Sequence, residues 1–123
     1  MFYSFPKKNK LRKRKDYLRV QGRKTSKFVT GSMVFLYVQN QLDHARIGIT
    51  VSKRNGNSVK RNKIKRFLRN TIRYCFPLMR HLGYDIVVIP RNRIKKTDLD
   101  EAITEMETFI ANLDGDFQNK PLI

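Results

Sequence analysis

Hydrophobic positions along the chain recur with two periods, one typical of strands and one typical of helices. Residues 26–40 favour strand structure, and their apolar side chains alternate between two faces, one with Met33, Phe35 and Tyr37 and the other with Val34, Leu36 and Val38. A bulge or short break is expected at Gly31-Ser32. Residues 46–51 and 84–89 read as further strands, the latter stopped by Pro90.

Three segments follow helical spacing instead. A short helix is predicted over residues 10–22, with Leu11, Leu18 and Tyr17 facing inward and Gly22 ending it. The longest helix is expected to start after a cap at 56–58 and to end near Phe76, before Pro77. The last helix is expected to be capped by Thr97. Its apolar positions repeat at helical spacing and comprise Leu99, Ala102, Ile103, Met106, Ile110 and Leu113.

The predicted order of elements is α-β-β-β-α-β-α, an α+β fold with a small sheet packed by helices. A length of 123 residues leaves room for one domain. We expect a single domain over residues 1–123, with an ordered core at about 10–113. A loose basic arm is expected at residues 1–9 and a tail at residues 114–123.

Charge is distributed very unevenly along the chain. Lys and Arg number 27 against 10 Asp and Glu, and the segment from His44 to Tyr84 holds no carboxylate. A folded domain with one basic flank is typical of proteins that bind a phosphate backbone. An anionic membrane is the competing polyanion, but no apolar run reaches the roughly 18–20 residues that span a bilayer. Without the apolar block of a signal peptide, the chain is expected to be cytoplasmic.

The segment 60–69 carries six cations and one Asn on a helical apolar pattern. Arg61, Lys65 and Arg69 line up at i, i+4 and i+8, and Asn62, Arg66 and Arg73 form the adjacent row. Because like charges at this spacing weaken an isolated helix, a polyanionic partner is expected. Asn62 can bond a base edge or a 2′-hydroxyl, or hold a metal-bound water; a merely solvated helix face is the alternative.

A second basic cluster surrounds Tyr17 in the first helix. An aromatic ring among cations can stack an unpaired base, although Tyr17 can equally pack on the sheet. Phe35 and Tyr37 can floor a cleft or belong to the core. The cations of this cluster are Arg12, Lys13, Arg14, Lys15, Arg19, Arg23 and Lys24.

Catalytic motifs are missing from the sequence. His44 and His81 are isolated, no acidic residues cluster at metal-ligand spacing, and there is neither a CxxC pair nor a Gly-rich phosphate loop. Cys75 lies on the apolar stripe of the long helix, which favours a buried thiol. We therefore expect no active site in the polypeptide itself. A stand-alone metal nuclease is an alternative, which predicts cleavage by the protein without an RNA cofactor.

The run from Val51 to Arg69 resembles the signature of the bacterial ribonuclease P protein subunit. In that signature a strand ends in Val-Ser-Lys-Lys, a Gly-Asn-Ala-Val turn follows, and an Arg-Asn-Arg-x-Lys-Arg-x-x-Arg helix comes next. Here Lys63 stands at the third position of the helix motif, and Val20-Gln21 replaces a second aromatic in the first helix. The resemblance extends over roughly residues 10–112.

This resemblance implies a two-layer, ribosomal-protein-like sandwich with a left-handed βαβ crossover. It also implies an accessory subunit that binds the catalytic RNA and the 5′ leader of precursor tRNA and assists removal of the leader, while the RNA carries out hydrolysis with Mg²⁺. A ribosomal or other RNA-scaffold protein is the structural alternative. The residues implied for catalytic-RNA binding are Lys53, Arg54, Lys60, Arg61, Asn62, Lys63, Lys65, Arg66, Arg69 and Arg73. Those implied for leader binding are Arg12, Lys13, Tyr17, Phe35 and Tyr37.

Overall fold

The protein is represented by a computed structural model that describes residues 5–118, with side chains up to Asp114. The parts of the expected arm at 1–4 and of the expected tail at 119–123 lie outside the described residues. Three short 3-10 turns occur at Lys7–Asn9, Lys53–Asn55 and Asn92–Lys96. The main elements are α1 (Arg14–Val20), β1 (Ser26–Val29), β2 (Met33–Gln39), β3 (Arg46–Ile49), α2 (Ser58–Met79), β4 (Tyr84–Pro90) and α3 (Leu99–Gln118).

The four strands form one mixed sheet in the order β1-β2-β4-β3. β2 pairs antiparallel with both β1 and β4, whereas β3 and β4 are parallel, so α2 is the crossover between them. The predicted α+β fold and its order of elements are confirmed. The hand of this crossover stays a prediction.

Each face of the sheet is covered by different helices. The main core lies between the sheet and the helices α2 and α3, where the rings of Phe35 and Phe109 stack at 4.1 Å. On the other face, α1 covers only part of the sheet through a small cluster of Leu11, Val20 and Val87. Val34, Leu36 and Val38 on that face remain partly exposed.

The N-terminal segment differs from the expected loose arm. The side chain of Asn9 is buried and its Nδ2 donates to the Ala45 carbonyl at 2.8 Å, while the Phe5 ring lies 5.6 Å from that of Phe76. Lys10 forms a parallel bridge with Ile47 at the edge of the sheet. The backbone of Lys10 and Leu11 pairs with the open edge of β3, so residues 10–13 are not helical and α1 begins only at Arg14.

Two helix ends and the orientation of one side chain also differ from the sequence prediction. α2 continues past Pro77 to Met79, since a proline in the last turn removes a single helical hydrogen bond. At the start of α3, Asp98 Oδ1 accepts from the Glu101 amide at 2.8 Å, whereas the Thr97 hydroxyl donates to the Arg93 carbonyl. The cap is therefore Asp98, not Thr97. Leu18, predicted to face inward, is 56% exposed.

The predicted cap of α2 is confirmed at Asn57, whose side chain accepts from the Lys60 amide at 3.0 Å. Cys75 is buried as predicted, and burial raises the pKa of its thiol to about 12. Within residues 5–118, none of the helices combines the length and the apolar character needed to cross a bilayer.

Candidate nucleic-acid interface

Seven cations lie on α2 outside its buried side, and they are here called the basic helix face. The inner side of α2 is fixed by buried Leu68 and Ile72. None of the ion pairs among the described residues involves a cation of α2, so no described carboxylate lies within 4.0 Å of these side-chain charges. The members of the basic helix face are Lys60, Arg61, Lys63, Lys65, Arg66, Arg69 and Arg73. Their charge is available to an external anion.

Lys53 and Arg54 are exposed in the 3-10 turn just before α2, and they extend the same positive potential. The chain turns from there into the helix through Gly56, which has a φ of 114° that favours glycine. A Cβ at this position would also lie 2.8 Å from Cδ of Lys60. Glycine therefore allows the turn to bring Lys53 and Arg54 to the start of the basic helix face.

The N-terminal segment, α1, β3 and α2 enclose a groove of about 450 Å³, here called the α1–α2 groove. Cations from both predicted sets line it: Arg12 beside Tyr17 on one wall, and Lys65, Arg69 and Arg73 on the other. Lys13 is exposed at the start of α1 and is not among the lining residues. The structure thus brings part of the predicted leader-binding set next to part of the predicted catalytic-RNA-binding set.

Tyr17 lies against β3 at the side of this groove. A Cβ placed on Gly48 would be only 2.3 Å from the Tyr17 hydroxyl oxygen, so the ring occupies the space that the missing side chain leaves. Partial burial raises the pKa of Tyr17, and a hydrogen bond with the Ile49 backbone acts in the opposite direction. Tyr17 packs on the sheet and also lines the groove, whereas its stacking on an unpaired base stays a prediction.

Phe35 and Tyr37 are not among the residues that line the α1–α2 groove. Phe35 is fully buried and Tyr37 is 8% exposed, and both rings contact Phe109 of α3. The suggestion that one of them floors the cleft is therefore wrong. The predicted alternation along β2 is correct, but the partly exposed set is Val34, Leu36 and Val38. These apolar side chains share the face of the sheet that α1 covers in part.

A second groove, of about 460 Å³, lies on that face and is here called the sheet groove. Val34 and Ile89 supply its apolar part, and Arg54 and Arg91 supply charge at its rim. Asn55, Pro90 and Asn92 complete the lining. Arg91 is a residue that sequence reasoning missed, and its Nη1 donates to the Thr30 carbonyl at 2.7 Å. The signal was present, since four cations follow Pro90 in residues 91–96.

A buried ionic cluster fixes α1 on the sheet. Asp85 of β4 is fully buried and accepts hydrogen bonds from Arg46 at 2.6 and 2.8 Å, from Asn40 at 3.0 Å and from Arg19 of α1. Burial alone would raise the pKa of Asp85, but these hydrogen bonds and the charge of Arg46 hold it below the ordinary aspartate value. Arg46 also reaches Asp16 of α1 at 3.5 Å. The orientation of α1, and with it Tyr17, depends on this cluster.

Asn62 is exposed on the basic helix face, and its neighbours there are cations. Within the described part of the chain no three His, Cys, Asp or Glu side chains group as a metal site would require. Mg²⁺ prefers carboxylate and carbonyl oxygens, so this donor set does not fit an ion held by the protein alone.

Comparison with known proteins decides the family. Residues 5–114 match the family model for ribonuclease P. The chain belongs to the ribonuclease P protein family. The ribonuclease P protein component of Petrotoga mobilis is 38% identical over 96 residues, which cover 76% of this chain and 77% of that protein.

Solved structures of ribonuclease P proteins share the fold. The protein from Thermotoga maritima superimposes with a TM-score of 0.73 at 28% identity, covering 84% of this chain and 96% of that one. A Staphylococcus aureus ribonuclease P protein, described as a mutant with defective mRNA degradation activity, gives a TM-score of 0.74 at 29% identity. That match covers 88% of this chain and 90% of the other.

Proposed function

We propose that this chain is the protein subunit of ribonuclease P, which binds the catalytic RNA and the 5′ leader of precursor tRNA. In this role it assists the Mg²⁺-dependent endonucleolytic removal of the leader, and the RNA subunit holds the metal and carries out the cut. The observation that supports this most strongly is the α1–α2 groove, where Tyr17 lies next to cations that have no carboxylate partner among the described residues.

The basic helix face is proposed to bind the catalytic RNA. Arginine offers two-point contacts to a phosphate, and lysine offers a mobile point charge. Neutralising phosphates releases condensed counterions and lowers the repulsion between the catalytic RNA and its tRNA substrate. The protein therefore lowers the Mg²⁺ concentration that the RNA needs for the same reaction. Lys53 and Arg54 extend this contact before the helix.

The leader is proposed to bind on the partly open face of the sheet, between the α1–α2 groove and the sheet groove. A single strand needs cations along its backbone and flat or apolar side chains under its bases. Tyr17, Leu36 and Ile89 supply the second requirement, while Arg12 and Arg54 supply the first. Lys13, exposed at the start of α1, is proposed to contact the leader backbone outside the groove.

A comparison of substrates tests the leader contact. The dissociation constant of the assembled complex is measured for precursor tRNA with a leader and for tRNA without one, using the wild type and Tyr17→Ala. Loss of one stacked base corresponds to about 1–3 kcal/mol, so we expect about five- to 150-fold weaker binding of the leader-bearing substrate alone. Leu18→Ala is the matched control, since Leu18 is exposed on the same helix. Equal effects of Tyr17→Ala on both substrates would refute the assignment.

RNA degradation by the protein alone is a second candidate function. It is favoured by the Staphylococcus aureus neighbour, which is described as a mutant with defective mRNA degradation activity. Incubating the purified wild-type chain with an unstructured mRNA, without any RNA subunit, tests this candidate. Persistence of the full-length mRNA would rule the candidate out. A degrading activity that copurifies with the chain through every chromatographic step would support it.

A further inference from the structure

A pocket at the C-terminal end of α2 is used by neither groove described above. It has a volume of about 390 Å³ and lies where the N-terminal segment meets the end of α2 and the loop before β3. This volume falls within the roughly 300–1,000 Å³ of small-molecule sites. At 1.5 Å per residue, Arg80 is about 30 Å along the helix from Lys60. The pocket is therefore a separate location from the start of the basic helix face.

The charges around this pocket favour an anion. Lys8, Arg80, His44 and His81 line it, with Asp43 as the one carboxylate among the lining residues. Asp43 is fully exposed and pairs with Nδ1 of His44 at 2.9 Å. Lys8 and Arg80 remain without an ion-pair partner among the described residues. Two cations at the mouth of a pocket are suited to one phosphate group.

A buried acceptor in the same pocket indicates more than a phosphate site. Asn9 is 1% exposed and lines the pocket, and its Oδ1 has no hydrogen-bond partner among the described residues. Its Nδ2 already donates to the Ala45 carbonyl, which fixes the orientation of the amide. A buried acceptor without a partner carries a desolvation cost that a donor on a ligand would relieve.

We propose that this pocket binds one nucleotide of an RNA strand, with the phosphate between Lys8 and Arg80 and a base amino group donating to Asn9 Oδ1. The half-buried ring of Pro6 and the exposed imidazole of His81 lie beside the position of the base. The choice of RNA as the ligand rests on the proposed function. It gives the protein a second RNA contact at the end of α2 that is opposite to the start of the basic helix face.

The only two histidines in the chain both line this pocket, so their imidazole proton resonances report on it specifically. The full chain at pH 7 is titrated with adenosine 5′-monophosphate, with purine riboside 5′-monophosphate, which lacks the amino group, and with inorganic phosphate. We expect adenosine monophosphate to shift both histidines and to bind about tenfold more tightly than the purine analogue. Changing the ligand avoids replacing Asn9, whose Nδ2 supports the fold.

A double variant tests the phosphate contact. Lys8→Ala with Arg80→Ala should weaken adenosine monophosphate binding about tenfold or more. The matched control, Lys95→Ala with Lys96→Ala, removes two exposed cations from outside the pocket and should leave binding unchanged. Unmoved histidine resonances, equal affinity for the purine analogue, or unchanged binding by the first variant would each overturn the proposal. The titration contains no RNA subunit, so these results would not decide the proposed function.

Discussion

Tyr17 and Gly48 are in such close contact that position 48 accepts no side chain without moving the ring. The Cβ of an alanine there would be 2.3 Å from the tyrosine hydroxyl oxygen and 2.6 Å from Cζ. Gly48 is buried in β3, beside the strand that holds Asp85, and Asp85 in turn binds α1 through Arg19. The position of Tyr17 at the groove therefore depends on the absence of a side chain on the neighbouring strand.

Gly48→Ala should destabilise the protein because the new methyl group overlaps Tyr17. Overpacking of this kind costs about 1–3 kcal/mol in the free energy of unfolding. In a Tyr17→Ala background the same substitution should cost much less, because the overlap is gone. Urea denaturation of the four proteins measures this coupling. An equal cost of Gly48→Ala in both backgrounds would contradict the described contact.

Asp85→Asn should lower the free energy of unfolding at pH 7 by about 3 kcal/mol, since it leaves Arg46 and Arg19 without their shared carboxylate. The pKa of Asp85 is lowered in the folded protein, so its contribution is fully present above the unfolded value of about 3.9. This contribution is lost as the pH falls through the folded pKa.

Urea denaturation between pH 7 and pH 3 should therefore show a smaller acid-dependent loss of stability in Asp85→Asn than in the wild type. Asp100→Asn, which removes an exposed carboxylate from the start of α3, is the control and should follow the wild type closely. Parallel curves for wild type and Asp85→Asn would show that the buried cluster does not link protonation to folding.

Phe35→Ala and Leu36→Ala should separate the two faces of β2. Phe35 is fully buried against Phe109, so its truncation should cost about 3–5 kcal/mol of folding stability. Leu36 is partly exposed on the α1 side, so its truncation should cost less and should weaken binding of leader-bearing substrate. Denaturation together with substrate titration measures both quantities. Weaker leader binding by a still folded Phe35→Ala, with Leu36→Ala unaffected, would show that Phe35 and not Leu36 contacts the leader.

Arg66→Ala combined with Arg69→Ala should weaken assembly with the catalytic RNA and flatten its salt dependence. Each lost phosphate contact should reduce the slope of log K against log salt by about 0.7–0.9. Binding is followed over a series of salt concentrations, with Lys95→Ala/Lys96→Ala as a control of equal charge. The same loss of slope in both variants would show that net charge, not the basic helix face, controls assembly.

Local pattern was enough to predict the fold class, the two faces of β2, the cap at Asn57 and the apolar side of α2. These features depend on residues near one another in sequence. Nearby residues do not predict which face of β2 packs in the main core. That depends on Phe109 of α3, which is more than seventy residues away from Phe35 in sequence. The non-helical path of residues 10–13 depends likewise on the distant edge of β3.

The candidate site was predictable in part for the same reason. The basic helix face follows from spacing within one helix. Tyr17 and Arg69 line one groove only because α1 and α2 pack near each other. Arg91 likewise lines the sheet groove because of how separate elements pack. Periodicity alone carries no information on such packing.

Leader release from precursor tRNA at a low Mg²⁺ concentration tests the central claim most directly. The reaction is run with the catalytic RNA and the protein together, with the RNA alone, and with the protein alone. We predict fast release from the first mixture, slow release from the second and no release from the third. Release by the protein alone, or no acceleration when the protein joins the RNA, would contradict a subunit that supplies binding and countercharge while the RNA makes the cut.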